Sequence, residues 1–352
     1  MQLNSRISTV SLACIAIMAA NILIPNIQNP ALLGRWNFRR LSNEVCTDRE
    51  TCIAWCQTVN LLPVDKVCPI CPNNRPMRVY DTAAHQSGLL TTVGKYFRCH
   101  QRRIGNTRQH DEKESLSVNS WFGMAHMPME RIIYMTYGLA HGYSAEQVSN
   151  EASLEGPAEL SSETYADWHS YFHEVCFEAL ERRFAARGPV GGAGVVVEID
   201  ESKIGHRKYN RGRLVEGQWL LGILDRQTGE IRLEVVATRD AQTLIPLIQK
   251  HVLPGSTIHT DQWPAYNQLT AQGYTHLTVN HTTNFVDPQT GAHTQGIERS
   301  WSALKSNLRK RGVHRDSLAP HLCEYLWRRE CKISGVDLFG QIVLDIAALY
   351  PV

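Results

Sequence analysis

Three acids in the second half of the chain, Asp200, Asp261 and Glu298, have the type and placement to share divalent cations. Asp200 closes the apolar run Val195-Val-Val-Glu-Ile, and Asp261 closes Thr257-Ile-His-Thr260. Both runs read as strands, so each acid stands at a strand end. Glu298 lies 37 residues past Asp261 on a stretch of helical pattern. Carboxylates crowded together repel unless cations join them. Three of them hold two Mg²⁺ or Mn²⁺ ions about 4 Å apart, one activating water or a 3′-hydroxyl and one stabilising the leaving oxygen of a phosphodiester.

Other residues surround this trio in sequence. Lys305 follows Glu298 by seven residues, two helical turns on and on the same face, where a cation can meet phosphate. Trp301 reads as core, with base stacking as the competing role. His293 and Thr294 lead into the helix and are placed to approach the cations. After Asp200, the residues Lys203, Arg207, Lys208, Arg211 and Arg213 put five cations in eleven positions, with Gly205 and Gly212 as bends. A phosphate clamp and a solvated hairpin both match that pattern. Asp225 also ends a strand run, but the turn Gln227-Thr-Gly229 accounts for it. Glu198 and Glu201 flank Asp200 on alternating faces, so neither is expected to share its position.

The cysteines suggest a second metal. Cys68-Pro-Ile-Cys71 is a C-x-x-C knuckle, and Cys99 lies 28 residues beyond it. Two such thiolates grip a tetrahedral zinc ion that a second pair would close. Cys99 is followed by His100, Gln101 and Arg102 instead of another cysteine, and His85, His100 and His110 are the candidates for the fourth ligand. Buried thiols without metal are the plain alternative. Cys14, Cys46, Cys52, Cys56, Cys176, Cys323 and Cys331 read as packing residues.

Elements must position these groups. Strands are expected at Val195–Asp200, Trp219–Asp225, Ile231–Ala237, Thr257–Thr260 and Tyr274–Val279, and helices at Thr243–Val252, Trp263–Gln272 and Thr294–Lys310. The order β-β-β-α-β-α-β-α predicts an α/β fold, a ribonuclease H-like mixed five-stranded sheet covered by helices. In that order the first and fourth strands are neighbours, which brings Asp200 and Asp261 to one edge. Upstream, the pattern gives an apolar N-terminal extension (1–35), then a helical lead-in with a zinc-ribbon-like segment (36–110). A helical region (111–187) follows, broken at Gly142-Tyr-Ser144, which is compatible with a helix-turn-helix DNA reader. Arg187-Gly-Pro-Val-Gly-Gly-Ala-Gly194 reads as a linker to the catalytic domain (195–335), and 336–352 as a C-terminal helix.

With 352 residues, 43% hydrophobic content, 36 Lys plus Arg and 34 Asp plus Glu, the composition excludes a mainly disordered chain. No period of 20–50 residues recurs, which excludes a repeat array. Ten cysteines are too few for a disulfide scaffold. The net charge of +2 conceals a basic block from Arg299 to Lys332, with nine Lys or Arg against three Asp or Glu. Arg309, Lys310 and Arg311 belong to it, and a polyanion partner is expected. The uncharged run Ile7–Ile24 after Arg6 has the look of a signal peptide or short anchor. The rest of the chain argues for a reducing compartment that contains nucleic acid: the nucleus of a eukaryote, or the cytoplasm and nucleoid of a bacterium. A membrane partner is not expected.

A run of motifs then carries a family resemblance. Val197-Glu-Ile-Asp-Glu-Ser202, Lys208-Tyr-Asn-Arg-Gly212, Thr260-Asp-Gln-Trp-Pro-Ala-Tyr266, Asn280-His281, Phe285-Val-Asp-Pro288, Gly291-Ala-His-Thr294 and Ile297-Glu-Arg-Ser-Trp301 with Lys305 closely resemble Merlin-type DDE transposases and their bacterial insertion-sequence relatives. The similarity runs from Val195 through Trp327-Arg-Arg329 and weakens back to Cys68–Cys71. It implies metal-dependent cut-and-paste DNA transposition with Asp200, Asp261 and Glu298 as the triad and Lys305 as its basic companion. It also implies that the N-terminal part binds terminal inverted repeats in double-stranded DNA. Joining two ends implies a homodimer or higher oligomer. Two features depart from the family: the fourth cysteine near Arg102 is missing, and the apolar N-terminus is foreign to it. These departures leave a second reading, a domesticated DNA-binding protein without transposition activity.

Overall fold

The computed structural model describes residues 23–25, 27–71, 73–82, 93–102, 109–123, 125, 127–151, 160–205, 217–310 and 318–352. In chain order, helices α1 (Phe38–Glu44) and α2 (Arg49–Thr58) precede strands β1 (Arg78–Asp81), β2 (Lys95–Gln101) and β3 (His110–Ser115). Helices α3 (Met129–His141), α4 (Ala145–Glu151) and α5 (Ser162–Arg187) follow. Strands β4 (Val190–Gly191), β5 (Val196–Ile204), β6 (Gln218–Asp225) and β7 (Ile231–Val236) lead to helix α6 (Ala241–His251). Strands β8 (Val252–Leu253), β9 (Thr257–Thr260) and β10 (Thr275–Thr278) come next, then helices α7 (Gln295–Lys310), α8 (Leu318–Ser334) and α9 (Leu338–Leu349). These elements form two compact units, one of Asn26–Val175 with Val336–Val352, the other of Met1–Pro25 with Cys176–Gly335.

In the first of these units, capping residues set the helix starts. Asn37 and Asp48 accept the backbone N–H of Arg40 and Thr51 at the heads of α1 and α2. Ser144 and Gln147 cap α4 reciprocally, at 2.9 and 3.2 Å. Gly142, at φ 77°, ends α3 in the left-handed conformation that glycine tolerates. The break expected at Gly142–Ser144 is therefore present. Helix α3, however, is buried along most of its length and serves as a core helix. The Phe339 ring of α9 lies against Trp36, Trp55 and Tyr137, with centroids 5.3–6.0 Å apart. Strands β1, β2 and β3 form an antiparallel sheet in chain order.

The second unit holds the predicted sheet. Its strand order is β10-β9-β5-β6-β7. Strands β5, β6 and β7 are antiparallel neighbours, whereas β9 runs parallel to β5 and β10 parallel to β9. Alternation along the strands decides the two faces. Val197, Ile199, Leu221, Ile223 and Ile258 face α6, where Leu244, Ile245, Ile248 and Tyr266 close the core. Helix α7 covers the opposite face of β5 and β6. It comes close because position 222 is glycine: a Cβ there would stand 2.6 Å from the Trp301 ring.

Three expectations change. Strand β5 does not stop at Asp200 but continues to Ile204, paired beyond Glu198 with β6 alone. Residues 263–272 form two 3₁₀ turns, Pro264–Gln268 and Thr270–Gln272, in place of an α-helix. The fully buried Tyr266 and Leu269 are three residues apart, the eclipsed spacing of a 3₁₀ turn. The glycine-rich stretch is built into the fold and is not a slack linker. Its Val190–Gly191 pairs with β8, and Gly192 donates its N–H to Ser256 Oγ at 2.7 Å. Gly191, at φ 85°, lies so close to Ser256 that a side chain would overlap it.

No helix among the described residues is long and apolar enough to cross a membrane. Of the run Ile7–Ile24, only Leu23 and Ile24 are described, and both are buried.

Candidate functional site

The register of β5 against β9 places the first two acids. Glu198 and His259 are the last parallel pair of β5 and β9; Asp200 lies two residues further along β5, on the same face as Glu198, and Asp261 follows the last residue of β9. That face is the one α7 covers. Trp301 of α7 donates its indole N–H to Asp200 Oδ2 at 2.9 Å. Trp301 is buried, so it is a core residue and positions the acid; the stacking role is not open to it. Burial pushes the Asp200 carboxyl up to about 6; the Trp301 N–H opposes this, and the charges of Asp261 and Glu298 add to it. Asp261 Oδ1 accepts the Trp263 backbone N–H at 2.9 Å.

Glu298 sits on the first turn of α7. Its Oε1 accepts the Thr294 hydroxyl at 2.8 Å and lies 3.2 Å from His281 Nε2. His281 Nε2 is also 2.8 Å from Thr294 Oγ1. Thr294 thus lies beside Glu298. His293 instead turns to Arg226, 2.8 Å from its Nη2.

Beneath the trio lies a polar network. Glu198 is buried on the same face as Asp200, contrary to the expectation that it would point away; two residues is one full strand period. Its Oε1 accepts Arg226 Nε at 2.6 Å, and its Oε2 accepts the Ile297 backbone N–H of α7 at 2.8 Å. This clamps the start of α7 to β5 and so fixes where Glu298 stands. His259 and His293 present Nδ1 to Arg226 Nη2 at 3.2 and 2.8 Å. Burial, and then the Arg226 charge, hold both imidazoles below their usual pKa. Glu201 points to the opposite face. There Tyr266 donates its hydroxyl to it, and burial pushes it up to about 8, with Asp200 and Asp261 adding and Arg239 opposing. Asp225 is consumed by its turn, accepting from Gln227 and Thr228 at 2.8 and 3.0 Å.

The basic residues divide. Lys305 is half-buried on α7. Lys203 stands 5.5 Å over the Trp219 ring. Arg207, Lys208, Arg211, Arg213 and Arg311 lie outside the described residues, as do the side chains of Arg309 and Lys310. The block from Arg299 to Lys332 is not one exposed patch: Arg328 pairs with buried Glu324, and Arg329 donates to the Gly229 carbonyl at 3.2 Å.

In the other unit, Cys68, Cys71, Cys99 and His110 converge, with all four ligand atoms within 4.8 Å of one another. Cys68 and Cys71 Sγ lie 3.3 and 3.5 Å from His110 Nε2, and Cys71 Sγ lies 3.8 Å from Cys99 Sγ. A tetrahedron with Zn–S bonds of about 2.3 Å has edges of about 3.8 Å, so the donors are spaced to hold zinc. Burial opposes the Cys68 thiolate, but the backbone N–H groups of Ile70 and Cys71 outweigh it and bring the thiol down to about 7. Of the candidate fourth ligands, His110 is the one present. Gln101 pairs with His110, so His110 shares a face with Cys99, whereas His100 points away beside Asp111. His85 lies outside the described residues.

Residues 186–330 match the ISXO2-like transposase domain. An uncharacterized transposase-like protein of Haemophilus influenzae is 30% identical over 113 residues, 31% of this chain and 89% of that protein. The chain belongs to the ISXO2-like transposase family. Among solved structures, the catalytic core domain of BIV integrase aligns over 37% of this chain and 80% of its own, at 16% identity and a TM-score of 0.26. A chain of the simian T-cell lymphotropic virus intasome aligns over 40% of this chain and 52% of its own, at the same identity and score. All three acids and their supporting network fall inside the matched transposase domain.

Proposed function

We propose that this transposase is a Merlin-type, cut-and-paste enzyme that cleaves double-stranded DNA at terminal inverted repeats and joins the ends to a target. The observation that carries this reading is the placement of Asp200 on β5 and of Asp261 just past the end of the neighbouring β9, with the start of α7, which carries Glu298, held by Glu198. The donors suit a hard divalent cation: three carboxylates, one of them, the half-buried Asp200, pushed up to about 6 by desolvation, with the charges of the other two adding. Bound Mg²⁺ or Mn²⁺ would activate water or a 3′-hydroxyl and stabilise the leaving oxygen. The chain's part is orientation. Trp301 holds Asp200 Oδ2, Trp263 holds Asp261 Oδ1, and Thr294 with His281 holds Glu298 Oε1. Lys305, Lys203, Arg207, Lys208, Arg211, Arg213, Arg309, Lys310 and Arg311 supply phosphate contacts. Cys68, Cys71, Cys99 and His110 hold a zinc ion that shapes the N-terminal part for repeat binding, and two ends are joined by a dimer or higher oligomer.

The test uses the genomic segment carrying this gene with its flanks, incubated with protein and Mg²⁺ or Mn²⁺. The wild type should cut at the flanking ends, and Asp261→Asn should bind them without cutting. Binding without cuts by the wild type would favour a domesticated DNA-binding protein instead.

A further inference from the structure

An aromatic and cationic strip begins beside Asp261 and passes onto the face of the sheet away from α7. Its outer member is Trp263, two residues after Asp261 and 37% exposed. Next comes Arg239, whose guanidinium carbon is 4.4 Å from the Trp263 ring centroid and 4.0 Å from that of Trp219. Lys203, paired with Trp219 across β5 and β6, completes it with its ammonium 5.5 Å over the same ring. Two indoles thus enclose one cation, and a second cation stands beside them.

The strip is held in place before anything binds. Trp263 donates its indole N–H to the Arg239 carbonyl at 2.8 Å, and its backbone N–H to Asp261 at 2.9 Å. Arg239 is tied further by Glu201, 3.9 Å from its Nη1. Core tryptophans of this unit are enclosed, Trp301 at 5% exposure and Trp327 at 0%. Trp263 keeps a fixed ring at the surface, which costs solvation but removes the entropy of ordering a side chain when a flat ligand docks. A rigid exposed π-face flanked by cations is what an unpaired nucleobase and its phosphate require. Bases within an intact duplex are stacked on each other and cannot reach such a ring.

Resting on the transposase reading above, we propose that this strip takes an unpaired nucleobase next to the cleaved phosphodiester. The strand would be opened at the cut, its base stacked on Trp263 and its phosphates met by Arg239 and Lys203.

The probes are a short fluorescein-labelled oligothymidylate and an oligomer of equal length and charge made of abasic sites. Each is titrated against the full chain without divalent metal at one fixed salt concentration. The wild type should bind the oligothymidylate about five- to a hundredfold more tightly than the abasic oligomer. Trp263→Phe should keep that ratio. Trp263→Leu should bring it towards one, with a melting midpoint confirming the fold. A ratio near one in the wild type, or an unchanged ratio in folded Trp263→Leu, overturns the strip. A further measurement needs no variant: an oligomer carrying 5-iodouracil should photocrosslink to Trp263, and crosslinks confined to other residues overturn the proposal. A chain that binds neither single- nor double-stranded DNA at low salt overturns the transposase reading itself, a result distinct from binding without base preference.

Discussion

At the scale of single residues, the site is defined by how acids are buried and what faces them. Asp200 and Glu201 are neighbours in sequence on opposite faces of β5, and burial pushes both up, to about 6 and about 8. Between about pH 4 and those values, the folded chain binds protons at both sites that the unfolded chain has released. Stability contributed by the two acids is therefore complete at low pH and lost as pH rises through that window. In chelator, Glu201→Gln should gain melting temperature relative to the wild type as pH goes from 6 to 9, with little difference at pH 5. A difference that does not change with pH would show that Glu201 does not titrate there. Asp200 and Asp261 stand out in the sequence because each follows an apolar run. Their supports do not. Arg226, His281 and Thr294 reach the site through loops whose return path no local pattern encodes. Glu198 and His110 were within reach of period-two alternation, applied from Asp200 backwards and from Cys99 across the β2–β3 pairing.

At the scale of elements, α7 must lie close on β5 and β6 for Glu298 to meet the other acids. Gly222 permits this, since a Cβ there would stand 2.6 Å from the Trp301 ring and 2.8 Å from Ile297 Cδ1. Gly222→Ala should destabilise the protein by roughly 1–3 kcal/mol in chemical denaturation, the usual range for overpacking a tight interface. Unchanged stability would mean that α7 can shift, and that its approach is not set by this glycine. The strands of this sheet and their order could be read from apolar runs and turn residues, because half-buried strands leave that signature. The 3₁₀ turns over 264–272 could not, since buried residues three apart also match an α-helix. The extension of β5 past Asp200 was hidden too. Its polar residues Glu201, Ser202 and Lys203 carry no apolar run, yet β6 pairs with them.

At the scale of the whole molecule, a near-neutral chain carries a Cys68–Cys71–Cys99–His110 group spaced for a metal in one compact unit and the three acids of the proposed site in the other. The purified protein should contain zinc in one-to-one ratio by elemental analysis, and both Cys71→Ser and His110→Ala should lose it. A full zinc content in both variants would place the ion elsewhere. Charge was a poorer guide than spacing: part of the basic block turns inward, with Arg328 on Glu324 and Arg329 on a carbonyl. The central claim, that Asp200, Asp261 and Glu298 make one divalent-metal site, can be tested without any DNA sequence. Mn²⁺ binding to the zinc-loaded chain, followed by electron paramagnetic resonance, should saturate. It should weaken by on the order of tenfold or more in each of Asp200→Asn, Asp261→Asn and Glu298→Gln. Mn²⁺ binding that is the same in the wild type and in the variant carrying all three changes would contradict it.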